Sequence, residues 1–234
     1  MWNELLSIFR PDDPMNSISS DFKEMLAIDM EMAALVEPHI FSQTLTMEQQ
    51  SKIYKLDVQV NKLERKIRKQ IVAHATLSRS NIGYCFMMMS IVKDAERIGD
   101  YVKNISEVKS LGGGEVPEGV IRTELQELVS NAMLLLREAA DVVEQEDRER
   151  AMELLEIGRL SGTRCDRLLV ELAKTRYNAS KTTAMVLLTR FYKRLGGHTM
   201  NIISSVTMPV HKLDFHDEKY LSPAAGSAKA SSEE

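Results

Sequence analysis

The sequence predicts an all-α protein built as two tandem three-helix bundles. Three observations carry this. Gly and Pro, 11 and 6 residues of 234, gather in two places, 111–119 (LGGGEVPEG) and the polar tail from about residue 221. Between these breaks apolar residues recur at spacings of three and four, and no run alternates apolar with polar as a half-buried strand does. With 44% hydrophobic and 27% charged residues, the chain has enough apolar side chains for a real core.

Six helices follow in order. The first covers about residues 17–41 and ends at the polar SQTLTMEQ stretch. Thr46 with Gln49 three residues on is a capping box that opens the second helix. Its seam is Ile53, Leu56, Val60, Leu63 and Ile67, spaced three and four, and it runs to about residue 75. The third starts near residue 79, with the stripe Tyr84, Met88, Ile91, Ala95, Ile98, Val102 and Ile105. The fourth, fifth and sixth occupy about 119–144, 147–177 and 181–206. Short links between long amphipathic helices favour antiparallel neighbours, hence up-down bundles. The predicted organisation is an N-terminal docking segment (1–15), a first bundle (16–110), a linker (111–118), a second bundle (119–210) and a C-terminal segment (211–234).

The bulk chemistry excludes several classes. A net charge of −4 with pI near 5.8 is not the basic footprint of a nucleic-acid binder. The longest apolar run, Tyr84 to Val92, is far short of the ~20 residues a membrane span needs. With no basic leader ahead of an apolar core, the expected location is the cytoplasm, where Cys85 and Cys165 stay reduced. Neither GxxxxGK[ST] nor GxGxxG occurs, and no nucleophile–base order stands out. His39, His74, His198, His211 and His216 form no i, i+4 pair with one another or with Cys, so surface or capping roles are expected of them.

The two halves repeat. ERIGDYVKNI (96–105) lies over KRLGGHTMNI (193–202) at an offset that pairs Arg97 with Arg194, Gly99 with Gly196, Asn104 with Asn201 and Ile105 with Ile202. ERIGDYVKNI closely resembles the signature of the PhoU family of phosphate-uptake regulators, roughly E-R-I-G-D-x-x-x-N-I. DVQVNKLE (57–64) fits the family's second-helix pattern, and the segment PVHKLDFHDEKYL resembles the closing stretch of some PhoU-like proteins. The resemblance spans about residues 16–215. It implies two three-helix bundles and a non-enzymatic regulator of phosphate uptake that contacts a phosphate transporter or a phosphate-sensing histidine kinase. It further implies a homodimer, peripheral membrane association through the partner, and one divalent or ferric metal ion (iron, zinc or similar) on surface carboxylates.

On the residues alone, Glu96 and Asp100 are i and i+4, on one helix face away from the apolar stripe, and are therefore not core. Asp57, Asn61 and Glu64 flank the seam of the second helix. If the second and third helices are antiparallel neighbours, these five converge on one hard or borderline cation. The competing reading is a solvated face, with Lys93, Arg97 and Lys103 pairing the acids. In the second repeat Lys193 replaces Glu96, Gly197 replaces Asp100 and Gly162 replaces an acid, so no ion is expected there. A protein whose main work is metal sequestration is the alternative, and the degenerate second repeat weighs against it.

Structural roles are expected for Arg97, Gly99, Asn104, Arg194, Gly196 and Asn201: glycines for close helix approach, asparagines tying off neighbouring helix ends. The run YCFMMMSIV is apolar all round. It suits a helix buried on two sides, or a dimer or partner face. Trp2, Leu5, Leu6 and Phe9 place an apolar face on the N-terminal segment, for packing on the bundle or docking on membrane or transporter.

Overall fold

The computed structural model describes residues 14–41, 44–77, 80–112 and 115–213. The N-terminal segment and the chain beyond residue 213 lie outside the described residues. The helices are α1 (Pro14–Phe41), α2 (Met47–Leu77), α3 (Ile82–Glu107), α4 (Val120–Gln145), α5 (Arg148–Ala173) and α6 (Ala179–Ser204). A 3₁₀ turn, Val108–Leu111, follows α3, and another, Val210–Lys212, follows α6. The first three helices form one bundle and the last three another, as the repeat predicts. No described helix is long and apolar enough to cross a membrane.

Local chemistry sets the helix ends. At α2 the capping box is complete: the Gln49 amide donates to Thr46 Oγ1 (3.2 Å), and Gln49 Oε1 accepts from the Thr46 amide (2.9 Å). Asp147 and Asn178 cap α5 and α6 by accepting from the amides of Arg150 and Lys181. Several boundaries shift from the sequence expectation. Pro14 opens α1 three residues early, since the first helical turn needs no N–H there. Asn81, in the left-handed region at φ 57°, delays the start of α3 to Ile82. The predicted fifth helix stops at Ala173 because both the amide and the hydroxyl of Thr175 close onto the Leu172 carbonyl. The sixth stops at Ser204, where Ser204 and Ser205 turn their hydroxyls back onto the carbonyls of Asn201 and Ile202.

The seams read from the sequence are the cores. Ile53, Leu56, Val60, Leu63 and Ile67 of α2, and Met88, Ile91, Ala95, Ile98, Val102 and Ile105 of α3, are all buried. Burying one such large side chain contributes about 1.5–3 kcal/mol, and truncating one to Ala costs about 2–5. The apolar run in α3 is explained by its position. α3 packs on α1 and α2 and also on α6, so it is buried on two sides. Phe86 is the exception at 63% exposure.

The duplication is visible in the geometry. α3 and α6 begin and end at residues 97 apart (Ile82 and Ala179, Glu107 and Ser204), and they form the main contact between bundles. Under the same offset Tyr101 corresponds to His198, and Asp94 to Phe191. Tyr101 meets Phe191 with ring centroids 5.9 Å apart, and His198 Nδ1 meets Asp94 Oδ1 at 2.8 Å. These are the same contact viewed from the two sides of a pseudo-twofold axis. Tyr101 and His198 stack on each other at 5.6 Å where that axis passes.

Candidate functional site

α2 and α3 run antiparallel, with Gln50 bonded to Ser106, Tyr54 to Glu107 and Lys103 to Asp57. That register brings the sequence-predicted acids into one groove. Asp57 and Glu64 are buried; Asn61, Glu96 and Asp100 are half-buried. Glu96 and Asp100 are not core residues, as the sequence implies, but they are half-buried along the groove between α3 and α2.

Ammonium and guanidinium groups sit among these carboxylates. Lys103 Nζ donates to Asp57 Oδ1 (2.9 Å) and Asp100 Oδ1 (3.0 Å), bridging the two helices. Lys93 Nζ donates to Glu96 Oε2 (2.6 Å) and lies 3.8 Å from Glu64. Arg68 and Arg97 complete the set on Glu64 (3.2 Å) and Asp100 (3.3 Å). Burial pulls the Lys103 ammonium down, but its bonds to Asp57 and Asp100 outweigh this and raise it. Among the described residues no three His, Cys, Asp or Glu side chains gather as a metal-holding group. In this arrangement the acids are shared out to cations of the chain itself.

Beneath the groove lies a carboxylate that the sequence reading missed. Asp29 of α1 is fully buried, and neither of its oxygens has a hydrogen-bond partner. Burial first, then the charges of Asp57 and Glu96, hold its pKa well above the ordinary carboxylate value. The signal was present: Met25, Asp29, Met32 and Val36 are spaced four, three and four, so Asp29 occupies a seam position of α1. Gly99 makes room for it. A Cβ on Gly99 would stand 2.8 Å from Asp29 Oδ1 and 3.5 Å from Val60 Cγ1.

The second repeat has the same scaffold with different contents. Lys193 holds both oxygens of Asp166 at 2.6 Å. Gly158, Gly162, Gly196 and Gly197 line a cleft of about 420 Å³. A Cβ on Gly162 or Gly197 would meet nothing within 4 Å, and one on Gly196 only Leu135 at 3.9 Å. Close approach thus applies to Gly99 and not to Gly196. Cys165, buried at the cleft, has its thiol pushed up to about 12 by burial, which leaves it inert as a nucleophile.

The remaining motif residues serve the contact between bundles or the surface. Asn201 Nδ2 donates to Asp94 Oδ1 (2.9 Å) beside His198, so it joins two bundles rather than tying off a helix end. Asn104 is half-buried, and Arg97 and Arg194 are exposed. His198 is half-buried at the interface and His39 is buried, both contrary to the expected surface or capping roles. The packing of α6 on α3 could be read only from the fold.

Fold and groove together define a tandem three-helix-bundle protein with an acid-rich, cation-bridged face on its first bundle. Residues 23–108, which span most of that bundle, match the family model described as PhoU domain. Among solved structures it is similar to PhoU from Pseudomonas aeruginosa: TM-score 0.74 at 19% identity, covering 82% of this chain and 95% of that one. It is also similar to the phosphate transport system regulatory protein PhoU from Streptococcus pneumoniae, with TM-score 0.68 at 14% identity, covering 82% and 92%. At these identities the likeness is one of fold. No curated protein matched the sequence.

Proposed function

We propose that the protein is a non-enzymatic, cytoplasmic regulator of phosphate uptake, acting by contact with a phosphate transporter or a phosphate-sensing histidine kinase. The observation that carries this is the PhoU-domain match over 23–108, with ERIGDYVKNI at the groove of α2 and α3. The groove offers charged surface rather than catalytic equipment: its acids are neutralised by Lys103, Lys93, Arg68 and Arg97. Deleting the gene and measuring phosphate uptake and phosphate-responsive expression tests the proposal. Altered regulation is the expected outcome; unchanged uptake and unchanged expression overturn it.

The proposal includes one divalent or ferric ion on the first repeat, tuning partner contact. Asp57, Glu96 and Asp100 have the right oxygen chemistry, with Asn61 and Glu64 beside them. Such an ion competes with Lys103, which bridges Asp57 and Asp100. Metal analysis of the purified protein is the check, and several ions per chain would contradict the reading of the second repeat. A homodimer is also proposed. Phe86 is the position to probe, by light scattering of Phe86→Glu against the parent chain, and two identical masses would remove that face from consideration.

A further inference from the structure

The solvent face of α2 carries a pattern that neither the bundle core nor the acidic groove uses. At 100° per residue, Met47, Ser51, Tyr54, Lys55, Val58, Lys62, Arg65, Lys69 and Val72 fall within an arc of about 100°, and the stripe runs about 38 Å along the helix. No acidic residue of α2 lies in that arc: Asp57 and Glu64 point into the groove, and Glu48 stands to one side. Lys55, Lys62, Arg65 and Lys69 are exposed, and none has a carboxylate partner among the described residues. Five of the twelve exposed large hydrophobic residues described also lie on this one helix: Met47, Tyr54, Val58, Val72 and Leu77. At the edge of the stripe the Tyr54 hydroxyl donates to Glu107 of α3 (2.7 Å).

We propose that this face of α2 docks the protein directly on an anionic lipid bilayer. Charge selects the partner. In a chain of net charge −4, a row of unpaired cations concentrated on one helix needs a negative counter-surface. Shape selects it further. Among the described residues α2 packs mainly against α1 and α3, so one long edge helix presents a face outward along its length, which suits a plane better than a partner's side-chain pocket. The interleaved apolar side chains reach the headgroup level while the cations meet lipid phosphates. The second repeat supplies an internal comparison. On its corresponding helix, α5, Arg150 pairs with Glu138 and Glu153, Arg159 with Glu156, and Arg164 with Glu124 and Glu127. Shared scaffold does not require the basic stripe. This inference does not depend on the regulatory role proposed above.

The test is co-sedimentation of the full chain with vesicles of phosphatidylcholine alone, and with vesicles in which about one lipid in four is phosphatidylglycerol. The expected result is binding to the anionic vesicles only, abolished at ~0.5 M salt. At about fivefold in partitioning per surface cation, Lys55→Glu/Lys62→Glu/Lys69→Glu should bind roughly a hundredfold more weakly, or worse. The control is Arg167→Glu/Lys174→Glu/Arg176→Glu, three exposed cations of the second repeat, which should retain binding. Circular dichroism establishes that both variants are folded, and the salt dependence of the parent chain provides a reading that needs no variant. Absence of binding to anionic vesicles, equal binding to both vesicle types, or equal loss in the two variants overturns the proposal. The first of these would leave the face to an acidic protein partner.

Discussion

Truncating a fully buried residue usually destabilises a protein, yet Asp29→Ala should stabilise this one. The carboxyl of Asp29 is buried, its two oxygens have no hydrogen-bond partner, and Asp57 and Glu96 oppose its ionisation. Relieving an unsatisfied buried polar group contributes about 1–3 kcal/mol, and Ala in place of Asp in a helix interior adds roughly 0.6. The small void left behind costs about 1 kcal/mol, so the net gain is about 1–2 kcal/mol. The pH dependence has a definite sign. The folded-state pKa is raised, so the folded chain holds the Asp29 proton more tightly than the unfolded chain does. This contribution is fully present below the unfolded value of about 3.9 and is lost as pH rises through the folded pKa. The advantage of Asp29→Ala should therefore grow with pH across that window and level off above it. Urea unfolding of both proteins at pH 5 and pH 8 measures it, through midpoints compared at unchanged slope. A variant less stable than its parent at pH 8, or an advantage that does not grow with pH, would show that the carboxylate has a partner this geometry lacks.

Four further outcomes follow from the same structure. Gly162→Ala, Gly196→Ala and Gly197→Ala should each raise stability by about 0.5–1 kcal/mol, since each new methyl enters open or ordinary space. Gly99→Ala should instead cost about 1–3 kcal/mol against Asp29, and the loss should shrink by more than about 1 kcal/mol in the double variant with Asp29→Ala; additive thermal shifts would refute that contact. Lys103→Met removes the ammonium between Asp57 and Asp100 and should tighten divalent-ion binding by about tenfold in titration calorimetry; equal heats in parent and variant would remove that pair from the proposed ion site. Asp94→Ala strands His198 and Asn201 at the contact between bundles and should cost about 1–3 kcal/mol in urea unfolding; a midpoint that does not move would refute the role given to this triad.

Much of the fold was legible because helices declare themselves locally. The capping box at Thr46 and Gln49, the three-four seams of α2 and α3 and the glycine break before α4 each rest on neighbours within a few residues. The repeat was legible because α3 and α6 kept register through the whole duplication. What escaped depends on contacts remote in sequence. Lys103 looked like a cation for its own helix, and only the antiparallel register of α2 shows it crossing to Asp57. Asp94 and His198, 104 residues apart, meet because α6 lies on α3, which no pattern within either helix specifies. Asp29 is a different kind of miss. Its seam spacing in α1 was readable, and an acid in an apolar seam should have been treated as a buried group rather than passed over.

The two repeats meet one electrostatic problem in two ways. Antiparallel helices that turn acids toward each other repel unless something positive stands between them. In the first repeat Lys103 and Lys93 stand there, so the acids persist and the groove remains charged and exchangeable. In the second the acids themselves are gone: Lys193 and Gly197 occupy the positions of Glu96 and Asp100, and a single pair with Asp166 remains. A cleft of about 420 Å³ lies there, lined by Lys193, Gly197, Gly162 and Asp166. Gly162 and Gly197 each carry a helix cost of about 1 kcal/mol that no packing contact requires, whereas Gly99 is required by Asp29. A position that tolerates such a cost without a steric reason is not maintained by the fold. The second repeat thus supplies scaffold and the α3–α6 contact, which is why the proposed ion is assigned to the first.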